Sequence, residues 1–258
     1  MNLASFPRIG VVILAAGKGT RMQSAIPKVM HELGGKPLID HLVSHVEAAH
    51  VCEKPVVVVA ADSNAVQEYL GERVVYVVQE HQRGTGDAVR VTESALRGAA
   101  DHVVVLYGDM PFLSAESIRK LTDTHTQERN TLTFMTATTP DFDDWRSVFY
   151  AFGRVVRGAS QNVKRVVELK DATETEKTIR EVCTCYFCFD AEWLWSHLRL
   201  LSNSNAQGEY YLVDLVQMAI DEGERVGTVD VPLQEAVGIN SKQDFDAVFH
   251  SLEVHYED

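Results

Sequence analysis

Cysteine is scarce in this chain. Among 258 residues there are four, Cys52, Cys183, Cys185 and Cys188. Three of them crowd into one short segment, which is no framework for a disulfide-stapled secreted domain. In an extended strand Cys183 and Cys185 point to one face and Cys188 to the other, and no second ligand pair lies nearby at metal-site spacing, so zinc is not expected. Positive charge is also short. The 24 lysines and arginines stand against 37 aspartates and glutamates, a formal net charge of −13. A nucleic-acid binder needs the opposite balance to displace counterions, so no nucleic-acid partner is expected. A nucleotide substrate stays open, because a phosphate site needs only a local cluster of cations and backbone N–H groups. Long apolar runs are missing. The longest, such as Val56 to Ala61, fall far short of the roughly 20 residues a spanning helix needs. The opening MNLASFPRIG lacks the basic start and apolar stretch of a secretory signal. A cytoplasmic protein with reduced thiols, and no membrane partner, is the expectation. There is no low-complexity tract, repeat or composition break that marks a linker.

What remains is an ordinary globular composition, 45% hydrophobic and 24% charged, in a chain long enough to bury a sizeable core. Ile9 to Leu14 is a continuous apolar run, as expected of a strand buried on both faces. Further strands are expected at Val56 to Ala61, Val74 to Val78, His102 to Leu106 and Thr131 to Thr138. Helices are expected at Leu38 to Ala49, Gly86 to Leu96 and Ala115 to His125. Such alternation implies parallel strands joined by right-handed crossovers, with helices on both faces of the sheet. The second half is richer in short strands: Arg154 to Arg157, Val163 to Glu168 and Val182 to Phe189. Helices near Ala191 to Leu201 and Tyr210 to Glu222, a strand at Val226 to Val231 and a helix from Lys242 to Leu252 follow.

Three segments carry chemistry. In Leu14-Ala15-Ala16-Gly17-Lys18-Gly19-Thr20-Arg21-Met22, followed by Pro27-Lys28, a buried strand runs into a loop with two glycines and three cations. Glycine lets backbone approach a ligand and turn N–H groups inward. Arg21 suits bidentate phosphate contact and Lys28 acts as a point charge. A Walker A loop is excluded because Gly19 follows Lys18, and a dinucleotide fingerprint lacks its third glycine, where Met22 stands. The second segment, Gln79-Glu80-His81-Gln82-Arg83-Gly84-Thr85-Gly86, follows the third strand. Its glutamines offer donor and acceptor together, as a pyrimidine edge requires. The third, Tyr107-Gly108-Asp109-Met110-Pro111, ends the fourth strand. A lone carboxylate there suits Mg²⁺, which takes most of its ligands from phosphate and water. Taken singly, the first and third read equally well as a turn with solvated cations and a turn aspartate, and the second reads better as a polar loop before a helix.

Together they resemble the sugar-nucleotide pyrophosphorylases, in particular the uridylyltransferase domain of bacterial N-acetylglucosamine-1-phosphate uridylyltransferases. The resemblance continues through Phe152-Gly153-Arg154, Glu168 to Ala172, Asn205 to Tyr211 and Gly238-Ile239-Asn240, in the family's order and spacing over nearly the whole chain. It implies an α/β three-layer sandwich around a mostly parallel, Rossmann-like sheet with a β-rich sugar-facing insertion. One domain, 1–258, would comprise a nucleotide-binding half (8–139), a sugar-binding half (140–240) and a C-terminal helix (241–258). By the same resemblance, the backbone of Leu14, Ala15, Ala16 and Gly17, with Gln79, Gln82, Gly84 and Thr85, would hold the uridine of UTP. Arg21 and Lys28 would face the phosphates and act in catalysis with Asp109. Asp109 and Asn240 would hold Mg²⁺, Tyr107 and Gly108 would line the floor, and Gly153 and Glu168 would contact the amino sugar of a sugar 1-phosphate.

Two departures fall on the sugar side. The family pattern Asn-Thr-Gly reads Cys183-Thr184-Cys185 here, and Tyr-Tyr-Ile-Thr-Asp reads Tyr210-Tyr211-Leu212-Val213-Asp214. Cys183 and Val213 would therefore stand where polar groups face the sugar. The second domain of the familiar enzymes, a β-helix that acetylates the amine, has no counterpart in these residues, so no acetyltransferase activity is expected. Two alternatives differ in chemistry: a UDP-sugar-binding regulator without turnover, and a glycosyltransferase, which usually presents an Asp-x-Asp pair rather than a lone Asp109.

Overall fold

The computed structural model describes residues 7–17, 26–61, 64–205 and 207–239. The chain begins with β1 (Ile9–Leu14), a small hairpin of β2 (Glu32–Leu33) with β3 (Lys36–Pro37), and α1 (Leu38–Ala49). It continues through β4 (Val56–Ala60), α2 (Asn64–Leu70), β5 (Val75–Gln79), α3 (Thr85–Arg90) and α4 (Glu93–Leu96). Then come β6 (His102–Tyr107), α5 (Ala115–Glu128) and β7 (Leu132–Thr138). The second half adds β8 (Arg154–Arg157), β9 (Val163–Val167), α6 (Glu174–Lys177), β10 (Glu181–Asp190), α7 (Ala191–His197), α8 (Asp214–Asp221) and β11 (Val226–Asp230).

The main sheet runs β11-β7-β10-β6-β1-β4-β5, and β8 with β9 branch from β10. Along that path β10 alone is antiparallel to its neighbours, giving the expected mostly parallel sheet. Period-two alternation splits each central strand between two cores. Val11, Ile13 and Ala15 pack on one face with Ile39, Leu42 and Val46 of α1 and Ile118 and Leu121 of α5. Val12, Leu14 and Ala16 pack on the other with Val89 of α3, Leu194 and Trp195 of α7, and Leu215 and Val216 of α8. These are the three layers. Fully burying each of these aliphatic side chains is worth about 1.5–3 kcal/mol, so the sheet is the main source of stability.

Several elements differ from the sequence reading. The helix expected over Gly86 to Leu96 is two, α3 and α4. Thr92 is fully buried between them and its hydroxyl donates to the Val89 carbonyl (2.7 Å), a back-bond that competes with helix propagation. The helix expected from Tyr210 begins only at Asp214, because Tyr210 is engaged in extended pairing. Its N–H donates to the Arg83 carbonyl and its own carbonyl accepts from the Gly86 N–H, both at 2.8 Å. The helix expected to reach Leu201 ends at His197. α2 was not anticipated; it buries only Val66 and Leu70, too few apolar residues to set a period. β10 slips by two residues against β7 between Cys183 and Phe187. An even slip preserves the side-chain faces, so Cys183 lies in one core and Cys188 in the other, as the strand reading requires. The helix expected over Lys242 to Leu252 lies outside the described residues. Among the described residues no helix is long and apolar enough to cross a membrane.

Candidate active site

The carboxyl ends of β1 and β6 lie side by side, with Leu14 paired to Tyr107 and the Gly108 N–H donating to the Leu14 carbonyl at 3.0 Å. A Cβ on Gly108 would stand 3.1 Å from Val29 Cγ1 and 3.2 Å from the Leu14 oxygen. A side chain there would crowd β1 by a few tenths of an ångström, so glycine suits this close approach before the chain turns into Asp109. Val29 is the buried middle of a single 3₁₀ turn, Lys28–Met30, and this anchor delivers Lys28. The Lys28 ammonium forms an ion pair with the Asp109 carboxylate, each side chain being 15% exposed. The structure thus brings together two of the three residues expected to be catalytic. The third, Arg21, lies outside the described residues, as does the rest of its loop. Leu14, Ala15 and Ala16 are buried beside this pair, and the Ala15 N–H donates to the Val58 carbonyl (2.9 Å). Gly17 is exposed, and a Cβ there would meet nothing among the described residues within 4 Å.

The second segment does something the sequence did not reveal. Gln79 is buried, and its amide donates to the Asp87 carboxylate (2.9 Å) and toward the Gly84 carbonyl (3.4 Å). Gly84 takes a left-handed φ of 105°, and a Cβ there would lie 2.6 Å from the Tyr210 oxygen. Its conformational freedom therefore serves the docking of the 209–212 segment. Thr85 Oγ1 accepts from the Leu212 N–H (3.0 Å), which ties the loop to the 209–212 segment. Burial, first of all, holds the Tyr107 phenol well above its ordinary pKa. Gln82 is half-buried in the same loop.

The residues expected on the sugar side form a second cluster. The Gly153 carbonyl accepts from the Cys183 N–H at 2.9 Å. A Cβ on Gly153 would meet Val166 Cγ1 at 3.0 Å and Glu168 Oε1 at 3.4 Å. Gly153, Glu168 and Cys183 are thereby brought together. Glu168 is exposed along its side chain, yet protein crowding, then Asp214 and Asp171, push its carboxyl above the usual range, with Arg154 and Lys170 opposing. Burial does the same to Asp214.

Cys183, expected to face the sugar, is 1% exposed and packs in the core. The half-buried thiol at this place is Cys185, which the sequence reading did not select. It stands in the left-handed region at φ 63°. Its side chain is hydrogen-bonded to Cys183 and lies within electrostatic reach of Glu168 and Asp109, the Cys183 contact and burial holding its pKa well up. A signal for it was present: a glycine of the family pattern is here a cysteine. Val213 is half-buried on the same face of the sheet.

Among the described residues no group of three or more His, Cys, Asp or Glu side chains could hold a metal ion. Asp109 is a hard oxygen donor suited to a cation that draws its other ligands from phosphate and water. The Ile239 N–H donates to the Asp109 carbonyl (2.9 Å), so residue 240 follows directly on a residue pinned to Asp109. Asn240 itself lies outside the described residues.

A family model described as the MobA-like NTP transferase domain matches residues 11–185. The chain is 42% identical over 232 residues to the bifunctional protein GlmU of Exiguobacterium sp., covering 90% of this chain and 50% of that protein. It is 43% identical to GlmU of Halalkalibacterium halodurans, covering 90% of this chain and 49% of that protein. The chain thus spans about half the length of these curated relatives. Among solved structures, a Bacillus anthracis protein described as a glucose-1-phosphate thymidylyltransferase superposes with a TM-score of 0.75 at 17% identity, covering 97% of this chain and 98% of that one. A CMP:2-keto-3-deoxy-manno-octonic acid synthetase complexed with CTP superposes at 0.68 with 15% identity, covering 96% and 99%. These likenesses establish the Rossmann-like fold.

Proposed function

The chain belongs to the MobA-like NTP transferase domain family, and on that premise we propose that it joins UTP to N-acetylglucosamine 1-phosphate, forming UDP-N-acetylglucosamine and pyrophosphate. The observation that carries this is the Lys28–Asp109 pair at the carboxyl ends of β1 and β6, with Gly153 and Glu168 gathered on the neighbouring β8–β9 face. Ligands of open α/β sheets sit at such strand ends. The relatives at about 40% identity supply the choice of sugar-nucleotide chemistry.

In this reading a phosphate oxygen of the sugar 1-phosphate attacks the α-phosphorus of UTP in line. The new P–O bond replaces the bond to the β-phosphate, and pyrophosphate leaves with that electron pair. A phosphate monoester is anionic near neutral pH, so no general base is needed. Catalysis rests on positioning and charge neutralisation. Lys28 would exchange the Asp109 carboxylate for phosphate oxygens, and Arg21 would share the charge of the leaving pyrophosphate. Asp109, with Asn240, would hold Mg²⁺, whose contribution when bound is to neutralise phosphate charge. Glu168 would accept from a sugar hydroxyl or amide.

A second reading, a different sugar 1-phosphate, is favoured by one observation: a half-buried thiol, Cys185, and an isopropyl group, Val213, stand where the family pattern has glycine and threonine. A screen of sugar 1-phosphates against UTP, read by pyrophosphate release, separates the two. N-acetylglucosamine 1-phosphate should give the highest kcat/KM. A tenfold preference for another sugar would replace the substrate, and no release with any sugar would remove the enzyme reading in favour of a binding protein.

A further inference from the structure

Arg154 is fully buried in β8. One guanidinium nitrogen donates to the Phe152 carbonyl and the other to the Tyr150 carbonyl (2.9 Å). The Phe142 and Tyr150 rings flank it, 4.8 Å and 5.2 Å from the guanidinium carbon. Among the described residues no carboxylate forms an ion pair with it, and its Nε has no hydrogen-bond partner. A buried charge without a counter-ion is costly, and a hydrophobic residue of similar volume would pack there without that cost. Both of its acceptors lie in the segment that leads into Gly153, the residue whose missing Cβ makes room for Glu168. Its own backbone pairs with Val167, next to Glu168, and with Val182, next to Cys183.

We propose that Arg154 is a positioning residue for the sugar 1-phosphate: it clamps the 150–152 segment so that Gly153 and Glu168 keep their places. The inference rests on the sugar-binding role given above to Gly153 and Glu168. The groups acting on Glu168 are Asp214 of α8, Asp171 and Lys170 of the following turn, and Arg154 of β8. Arg154 is thus one of two cations opposing two carboxylates. With its charge gone, Glu168 protonates at higher pH, and a protonated carboxyl no longer accepts with full strength.

The test is Arg154→Met and Arg154→Lys, with KM for UTP and for N-acetylglucosamine 1-phosphate measured separately from pH 5 to 8. Arg154→Met should raise KM for the sugar phosphate at least tenfold and leave KM for UTP within about twofold. The acid limb of kcat/KM for the sugar should move to higher pH. Arg154→Lys should lose the clamp but keep the limb in place. Where Arg154→Met does not fold, Arg154→Lys is read alone, and it should raise KM for the sugar phosphate severalfold with KM for UTP within about twofold. Equal changes in both KM values, or a lowered Tm with unaltered KM values, would each overturn the proposal. A wild-type protein inactive with every sugar phosphate would overturn the proposed function and this inference with it. An active wild type with no KM split would overturn this inference alone.

Discussion

The ion pair of Lys28 with Asp109 joins two residues that the proposed chemistry later separates. In the pair each neutralises the other. With substrates bound, the ammonium would belong to phosphate and the carboxylate to the cation. Asp109→Asn keeps the shape and removes the charge, so turnover should fall at least a thousandfold, roughly 4 kcal/mol of barrier, with near-normal circular dichroism. Lys28→Ala should depress kcat/KM about a hundredfold with little change in Tm. A variant whose main defect is thermal stability would make its residue structural. At this scale the sequence was a partial guide. Asp109 and Lys28 were legible because a strand end and a loop cation are local features. Gln79 and Gly84 were read as base contacts; what the sequence did not show is that Gln79 also donates to Asp87 and that Gly84 abuts Tyr210. A partner 126 positions downstream of Gly84 leaves no mark near that glycine. Cys183 and Cys185 exchanged prominence for a similar reason: which thiol stays half-buried depends on a register slip against β7.

At the level of elements, the joint between α5, β6 and β7 holds a titrating group far from the candidate site. His125 of α5 is fully buried, with its ring bonded to Thr133 Oγ1 (3.0 Å) and to His102 (3.2 Å). Burial, then the neighbouring imidazole, lowers its pKa to about 3. The unfolded chain would bind this proton near pH 6.5. Between those values the unfolded state holds more protons, so stability from this residue is full above pH 6.5 and is lost as pH falls toward 3. Urea unfolding from pH 7 to 4 should show this decline, with a shallower slope in His125→Gln. Equal slopes would mean that other groups carry the acid sensitivity. The elements themselves were legible where burial is two-sided or the helical period is long, as in β1, β4, α1 and α5. They were misread where tertiary hydrogen bonds decide. The break at Thr92 and the extended Tyr210 segment, stitched to Arg83 and Gly86, both follow partners that a local pattern does not name.

At the level of the molecule, strand–helix alternation foretold the three layers, and the motifs fell in the correct order along them. The antiparallel β10 carries the sugar-side residues into the middle of a parallel sheet between β6 and β7. Cys185 of this strand lies within electrostatic reach of both Glu168 and Asp109, and so links the 153–168 cluster to the 107–109 turn. That convergence is the basis of the central claim, transfer of a nucleotidyl group from UTP to a sugar phosphate. The claim is tested most directly by following label from UTP. Purified protein is incubated with N-acetylglucosamine 1-phosphate, magnesium and UTP labelled either at the α- or at the γ-phosphorus. The account predicts that α-label appears in a UDP-sugar and γ-label in pyrophosphate, in equal molar amounts. Release of γ-label as orthophosphate, or of α-label as free UDP or UMP, would contradict it.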